Sequence, residues 1–372
     1  MKKTLLATSA LAAGLIAAPV FAAEAPTMTV NGYVNAGMYY GDLANTTTGV
    51  SNAGDFGIEY DSEIHFRWSG SSDNGLTFKG EVELEGFSSE SSCSDRNGDG
   101  LFGVGECSTG DQIDEYWTSV SGSFGDFRIG ADDTAAEYME LGIIYAPNYK
   151  VGYYNSFNYT GAANGTDGNG DDLGIYYITP AISGFTAAIS FQPEGNTDGG
   201  RHGTNPAFKV NNASSIDDVL TIGAQWMGEF NGVSLGVSGG YQTSDTDTAA
   251  PTNADPDIWN AGGYVGYAGF TLAAFYEDNA GIGGIQSNGA VGGYDVAIGL
   301  SYETGPWTFA GGWAGVFDTK ANGAQDSDTF AGWVTYAIAP GVRGTLAVEY
   351  SEFDAGPVDD NLIAGAYMSV SF

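Results

Sequence analysis

Between residues 58 and 87, apolar and polar side chains alternate. Ile58, Tyr60, Ile64, Phe66 and Trp68 fall on every second position, with Ser62 the one interruption. Glu59, Asp61, Glu63, His65 and Arg67 fall between them. After the polar turn Ser71-Ser72-Asp73-Asn74 the alternation resumes, with Leu76, Phe78, Val82 and Leu84 on one face and Thr77, Lys79, Glu81, Glu83 and Glu85 on the other. Strand side chains point alternately to two faces, so the stretch predicts a long hairpin with one apolar and one charged side. Pairing across a turn centred between Asp73 and Asn74 places Glu63 near Glu83 and Asp61 near Glu85. Directly opposed like charges are destabilising, so the charged face must meet water or counter-ions. Taken alone, the hairpin fits a half-buried soluble sheet as well as a membrane barrel.

The rest of the chain decides between them. Met28, Val30, Val34, Ala36, Met38 and Tyr40 form one row, with Thr29, Asn31 and Asn35 opposite. Further alternating stretches are expected at 112–122 and 125–132, joined at Ser123-Phe124, and at 173–179 and 185–192, joined through Pro180. Next come 220–230 and 233–243, joined at Asn231-Gly232, a dipeptide that favours a two-residue hairpin turn. The pairs 258–268 with 270–277, 294–303 with 307–317, and 329–339 with 342–353 follow, and 361–372 ends the chain. That makes sixteen strands. Tight turns alternate with long connections rich in Asp, Asn, Gly, Ser and Thr, at 45–55, 194–215, 244–256 and 320–326. An even strand number with short turns at one end and long loops at the other is the layout of an outer-membrane barrel.

The N-terminus fits that compartment. Lys2 and Lys3 precede a largely apolar run from Thr4 to Val20 and a small-residue cleavage site at Val20-Phe21-Ala22, so residues 1–22 read as a secretory signal peptide. Residues 23–372 then form one barrel domain. No later stretch is apolar and long enough for a transmembrane helix, and a membrane protein without such helices must be a closed barrel. Without Lys2 and Lys3, 9 basic side chains remain against 46 acidic ones, a formal charge of −37. Nucleic acid is excluded as a partner, because phosphate binding needs basic patches. Cations, and divalent ions bridging to lipid headgroups, suit the chain better. Disorder is excluded by 42% hydrophobic residues in so regular a pattern.

Aromatic residues gather near the ends of the apolar rows, at Tyr39, Tyr40, Trp68, Trp226, Phe270, Trp307, Phe317, Tyr350 and Phe372, as interfacial girdles would. The last strand alternates Leu362, Ala364, Ala366, Met368, Val370 and Phe372. It resembles the C-terminal signal that bacterial outer-membrane barrels present to their assembly machinery. The stretch Ser123-Phe124-Gly125-Asp126-Phe127-Arg128-Ile129-Gly130, followed by an acidic loop, resembles the alphaproteobacterial general porins of the Rhodobacter type. That resemblance implies an all-β, 16-stranded antiparallel transmembrane barrel in the outer membrane of a Gram-negative cell. It further implies homotrimers, passage of ions and small hydrophilic solutes, and a third long loop folded into the lumen. The matching loop is 134–171, at 38 residues the longest connection. A loop of that length needs a functional reason, and a constriction supplies one. Its apolar part, Tyr138-Met139-Glu140-Leu141-Gly142-Ile143-Ile144-Tyr145, can pack on the inner wall.

The inward row becomes the pore lining. Arg67, Lys79, Arg128 and Arg343 each sit near a tight turn and are expected to share one layer, with His65 just above. Glu59, Asp61, Glu63, Glu81, Glu83 and Glu85 form an acidic ladder on the loop side, and Asp132, Asp133, Glu137 and Glu140 begin the third loop. A basic wall facing an acidic loop, the arrangement the family uses, gives a transverse field. Rings of charged side chains set ion preference, and the acidic excess favours cations.

One motif lies apart. Residues 95–106 fit a twelve-residue calcium loop, with Asp95, Asn97 and Asp99 at positions 1, 3 and 5. Gly100 takes the turn, the Leu101 carbonyl is position 7, and Glu106 is the bidentate ligand. No helices flank it, so a plain polar loop is the other reading. Cys93 and Cys107 bracket it and are the only two cysteines, so in an exported chain they are expected to form a disulfide. Catalysis has little support, because His65 and His202 are the only histidines and neither lies in a nucleophile or zinc spacing. An outer-membrane protease or phospholipase and a non-conducting structural barrel remain the alternatives.

Overall fold

The computed structural model describes residues 26–42, 56–85, 113–144, 173–194, 216–246, 257–278, 293–317, 326–353 and 360–372. Over these residues the chain forms β1 (Thr27–Asp42), β2 (Phe56–Ser71), β3 (Thr77–Glu85), β4 (Ile113–Gly122), β5 (Gly125–Ala131) and β6 (Leu173–Ile178). The series continues through β7 (Phe185–Glu194), β8 (Ile216–Phe230), β9 (Val233–Thr246), β10 (Asp257–Tyr267) and β11 (Phe270–Asp278). It ends with β12 (Tyr294–Thr304), β13 (Trp307–Phe317), β14 (Ser327–Ala339), β15 (Val342–Phe353) and β16 (Asn361–Ser371). Each strand pairs antiparallel with its sequence neighbours, and β1 pairs with β16, so the sheet closes. Two backbone hydrogen bonds of 3.0 Å between Gly32 and Phe372 finish the seam.

The alternation in sequence is the alternation in space. Ile58, Tyr60, Leu272, Leu300, Leu346 and Val348 stand exposed on the outer face. Thr221, Gln242, Thr329, Thr345 and Ser351, at the opposite parity, are buried inside. Outward aromatics form two belts. At the tight-turn end Phe270 stacks on Tyr302 at 4.2 Å, and Trp307 lies 4.5 Å from Tyr336. At the long-loop end Trp259, Tyr276, Tyr294 and Phe317 follow one another at 5.0, 5.9 and 5.2 Å. An apolar band between aromatic girdles is how a barrel meets lipid.

Three local expectations are corrected. In the first hairpin Glu63 opposes Glu85, His65 opposes Glu83, and Arg67 opposes Glu81, a slip of two residues from the expected register. The turn includes Gly75 at φ +84°, with Gly75 N–H donating to Ser72 O and Ser72 N–H to Leu76 O. That is a three-residue loop ending in a left-handed glycine, which moves the hairpin axis onto Asn74. A slip of two preserves the faces, so the charges stay inside but change partners. The β6–β7 connection turns at Ser183-Gly184 (φ 52° and 86°), not at Pro180. Tyr39 points inward onto the Tyr367 cluster, and only its neighbour Tyr40 is outward; adjacent strand residues cannot share a face.

Candidate pore lining and constriction

The loop after β5 turns back inside the barrel. Ala135 N–H donates to Ser190 Oγ of β7 at 3.0 Å, and Leu141 N–H to Ser238 Oγ of β9 at 2.9 Å. A short 3-10 turn, Glu137–Met139, buries Met139 between them. Ile143 and Ile144 then pack on an inner apolar patch made by Phe275, Ala297, Ala314 and their neighbours on β11–β16. The backbone approaches the wall so closely that a Cβ at Gly262 would lie 1.7 Å from Leu141 O. Glycine inside a strand commonly marks such a contact. The described start of the third loop therefore runs along the inner wall as far as β12. Residues 145–171 lie outside the described residues.

Arg128 roots this loop. Its guanidinium lies over Trp117, 3.7 Å from the ring centroid, pairs with Asp132, and donates to Tyr138 Oη at 2.6 Å. Tyr176 Oη donates to the Asp132 carbonyl at 2.7 Å. Arg128 and Asp132 are 6% and 1% exposed. Burial pushes the Asp132 carboxyl up to about 7, although Arg128 works in the opposite direction. Burial likewise raises Tyr138.

On β2 and β3 the charges interleave. His65 Nε2 lies 3.0 Å from Glu63, and His65 Nδ1 lies 3.1 Å from Glu81 and close to Glu83. Arg67 pairs with Glu81 through Nε and reaches Glu83 at 3.4 Å. Asp61 accepts from Asn35 Nδ2 on β1 at 3.3 Å.

Lys79 and Arg128 flank Ser119 in register on β3, β4 and β5. On β2 the partner of Lys79 is Ser69, two residues from Arg67, which lies opposite Glu81 in the acidic ladder, and Arg343 is on β15, three strands further round the wall. On the loop, Asp132 pairs with the wall's own Arg128. Asp133, Glu137 and Glu140 lie on the loop beside it, half-buried. The four Lys and Arg among the described residues fall at inward-facing positions of their strands.

Sequence reasoning missed Trp117, Tyr176, Ser190 and Ser238, which seat the loop, and the buried inner carboxylates Glu277, Asp295 and Glu349. Trp117 and Tyr176 lie at inward parity, where an aromatic among polar neighbours was the available signal. The calcium-like residues Asp95, Asn97, Asp99, Leu101 and Glu106, the Cys93–Cys107 bridge and the signal peptide lie outside the described residues.

A closed antiparallel barrel with an apolar belt outside, a largely polar wall inside and a loop laid against that wall is an outer-membrane channel. The chain belongs to the Gram-negative porin family, whose profile matches residues 7–356. Among solved structures, it is similar to an anion-selective porin from Comamonas acidovorans, with a TM-score of 0.64 at 15% identity over 94% of this chain and 100% of the other. It is also similar to engineered variants of the Rhodobacter blastica porin, with TM-scores of 0.57 and 0.58 at 18% identity over 93% of this chain and 100% of theirs. No curated protein sequence matches it. Family and fold place it in the outer membrane as a channel, not an enzyme.

Two predictions follow from the loop's seat. Gly262→Val should drive the loop off the wall while the strand, which favours valine, stays intact. Single-channel conductance in a planar bilayer should rise, with the barrel still heat-modifiable on gels. The second concerns Asp132, whose proton is held in the folded state up to about pH 7 but in the unfolded chain only below about 4. Its contribution to stability is therefore complete below pH 4 and lost as pH rises through 7. The thermal midpoint of the wild type, measured relative to Asp132→Asn, should fall between pH 5 and pH 8.

Proposed function

We propose that the barrel is a water-filled diffusion channel for ions and small hydrophilic solutes, with a preference for cations. The observation that carries this reading is the sign of the inner wall. Among the described residues, Arg67, Lys79, Arg128 and Arg343 are its only Lys and Arg side chains. Arg67 and Arg128 are already paired with carboxylates, while Glu63 stands opposite Glu85. Two unit charges about 5 Å apart repel by about 0.8 kcal/mol in water and several-fold more in a dry interior. Such a pair is tolerable beside a wet lumen, where it raises the local cation concentration. The Comamonas porin of similar fold is described as anion-selective. At 15% identity the likeness is one of fold alone, and we read ion sign from this chain's own wall residues.

Homotrimeric assembly, insertion by the outer-membrane assembly machinery, export through residues 1–22 and the Cys93–Cys107 disulfide belong to the same proposal. So does calcium at residues 95–106, where the ligand spacing gathers hard oxygens around one point.

The zero-current potential across a salt gradient tests the preference. Wild type should be cation-selective in dilute salt, fading toward 1 M, where the Debye length shrinks to about 3 Å. Glu63→Gln/Glu83→Gln/Glu85→Gln should shift the potential toward anions. An anion-selective wild type, or an unmoved triple variant, contradicts the reading. For the loop, calcium returned to chelated protein should raise the thermal midpoint of the wild type and leave Asp95→Ala and Glu106→Ala unchanged.

A further inference from the structure

His65 stands boxed by carboxylates on the inner wall. One donor atom from each of Glu63, His65 and Glu83 lies within 4.8 Å of the other two. Glu63 and His65 are two residues apart on β2 and so point the same way, and Glu83 is the register partner of His65 on β3. Two donors at i and i+2 on one strand and a third directly across leave the lumen side open. Three protein ligands with an open fourth position is a geometry that zinc accepts.

The surroundings strengthen this geometry. His65 Nδ1 is crowded by two acceptors, Glu81 and Glu83, and by one donor, Arg67 Nη2 at 3.1 Å. One ring nitrogen carries either a proton or a lone pair, so it cannot serve both kinds of neighbour at once. A dication resolves the conflict, drawing the carboxylates to itself and leaving Arg67 to Glu81. Both ring nitrogens already face a carboxylate, Nε2 at Glu63 and Nδ1 at Glu81. With the ion on Nε2, Nδ1 donates its N–H to Glu81, a carboxylate outside the ligand set that fixes the ring. Outside this cluster, the register partner of His65 on β1 is Asn31, whose Oδ1 is buried with no hydrogen bond.

We propose that Glu63, His65 and Glu83 form a site in the barrel wall for a transition-metal dication of the zinc class. The imidazole sets the preference, since nitrogen donors suit zinc, copper and nickel, whereas calcium and magnesium want oxygen alone. Binding itself does not depend on conduction. Its effect on permeating ions rests on the channel reading above, because a bound dication offsets the acidic wall and weakens cation preference.

The test uses the full chain in detergent, with Zn2+ competed against a chromogenic chelator in excess Mg2+. Wild type should retain zinc, and His65→Gln should weaken binding by about ten-fold or more, on the scale of losses at metal shells. Glu63→Gln/Glu83→Gln should match it, and serves as the readout if His65→Gln does not give a heat-modifiable barrel. Equal zinc affinity in wild type and variants, or displacement of zinc by magnesium from the wild type, overturns the site. In bilayers, Zn2+ should move the zero-current potential of the wild type toward anions and leave His65→Gln unmoved. A barrel that binds zinc but passes no current would refute the channel and not the site.

Discussion

In hydrocarbon no water is present to take up a stray backbone N–H or C=O, and each unsatisfied group costs several kcal/mol. The pairing of β1 with β16 removes the last open edge and satisfies that constraint. Everything else in the fold is downstream of it. Once the sheet is a cylinder, its two faces become lipid and lumen, and a period of two in the sequence becomes a difference in solvent. Phe270, Trp307 and Tyr336 can then lie at one interface and Trp259 and Phe317 at the other.

Closure also gives the inner wall a geometry that no single strand has. Residues far apart in the chain face a common space, and a loop from one side can be held by the other. Arg128, Trp117 and Asp132 pin the loop at its root, and serine hydroxyls on β7 and β9 receive its backbone. Beyond them the inner wall carries an apolar patch beside its buried carboxylates. Ala297, Ala314 and Ala331 leave a shallow apolar bed for Ile143 and Ile144. The inner wall thus has an interleaved charge cluster at β2–β5 and a bed for the loop on β11–β16.

The strands were legible because alternation is a local signal and a barrel repeats it sixteen times. The 307–317 and 342–353 segments appear with the expected bounds. Register was less legible, because it depends on how many residues the turn absorbs, and Gly75 in its left-handed conformation added to that count. The seat of the loop was hidden because its signal is an absence. Gly262 is an ordinary small residue in sequence and becomes informative only when Leu141 lies against it.

The central claim is that the face carrying Arg343 borders water and the face carrying Leu346 borders lipid. It is tested most directly by labelling Arg343→Cys and Leu346→Cys, each in a chain with Cys93 and Cys107 replaced, using a membrane-impermeant thiol reagent on protein in lipid vesicles. Arg343→Cys should react and Leu346→Cys should be protected. Reaction at Leu346→Cys with protection at Arg343→Cys would turn the barrel inside out and contradict the account.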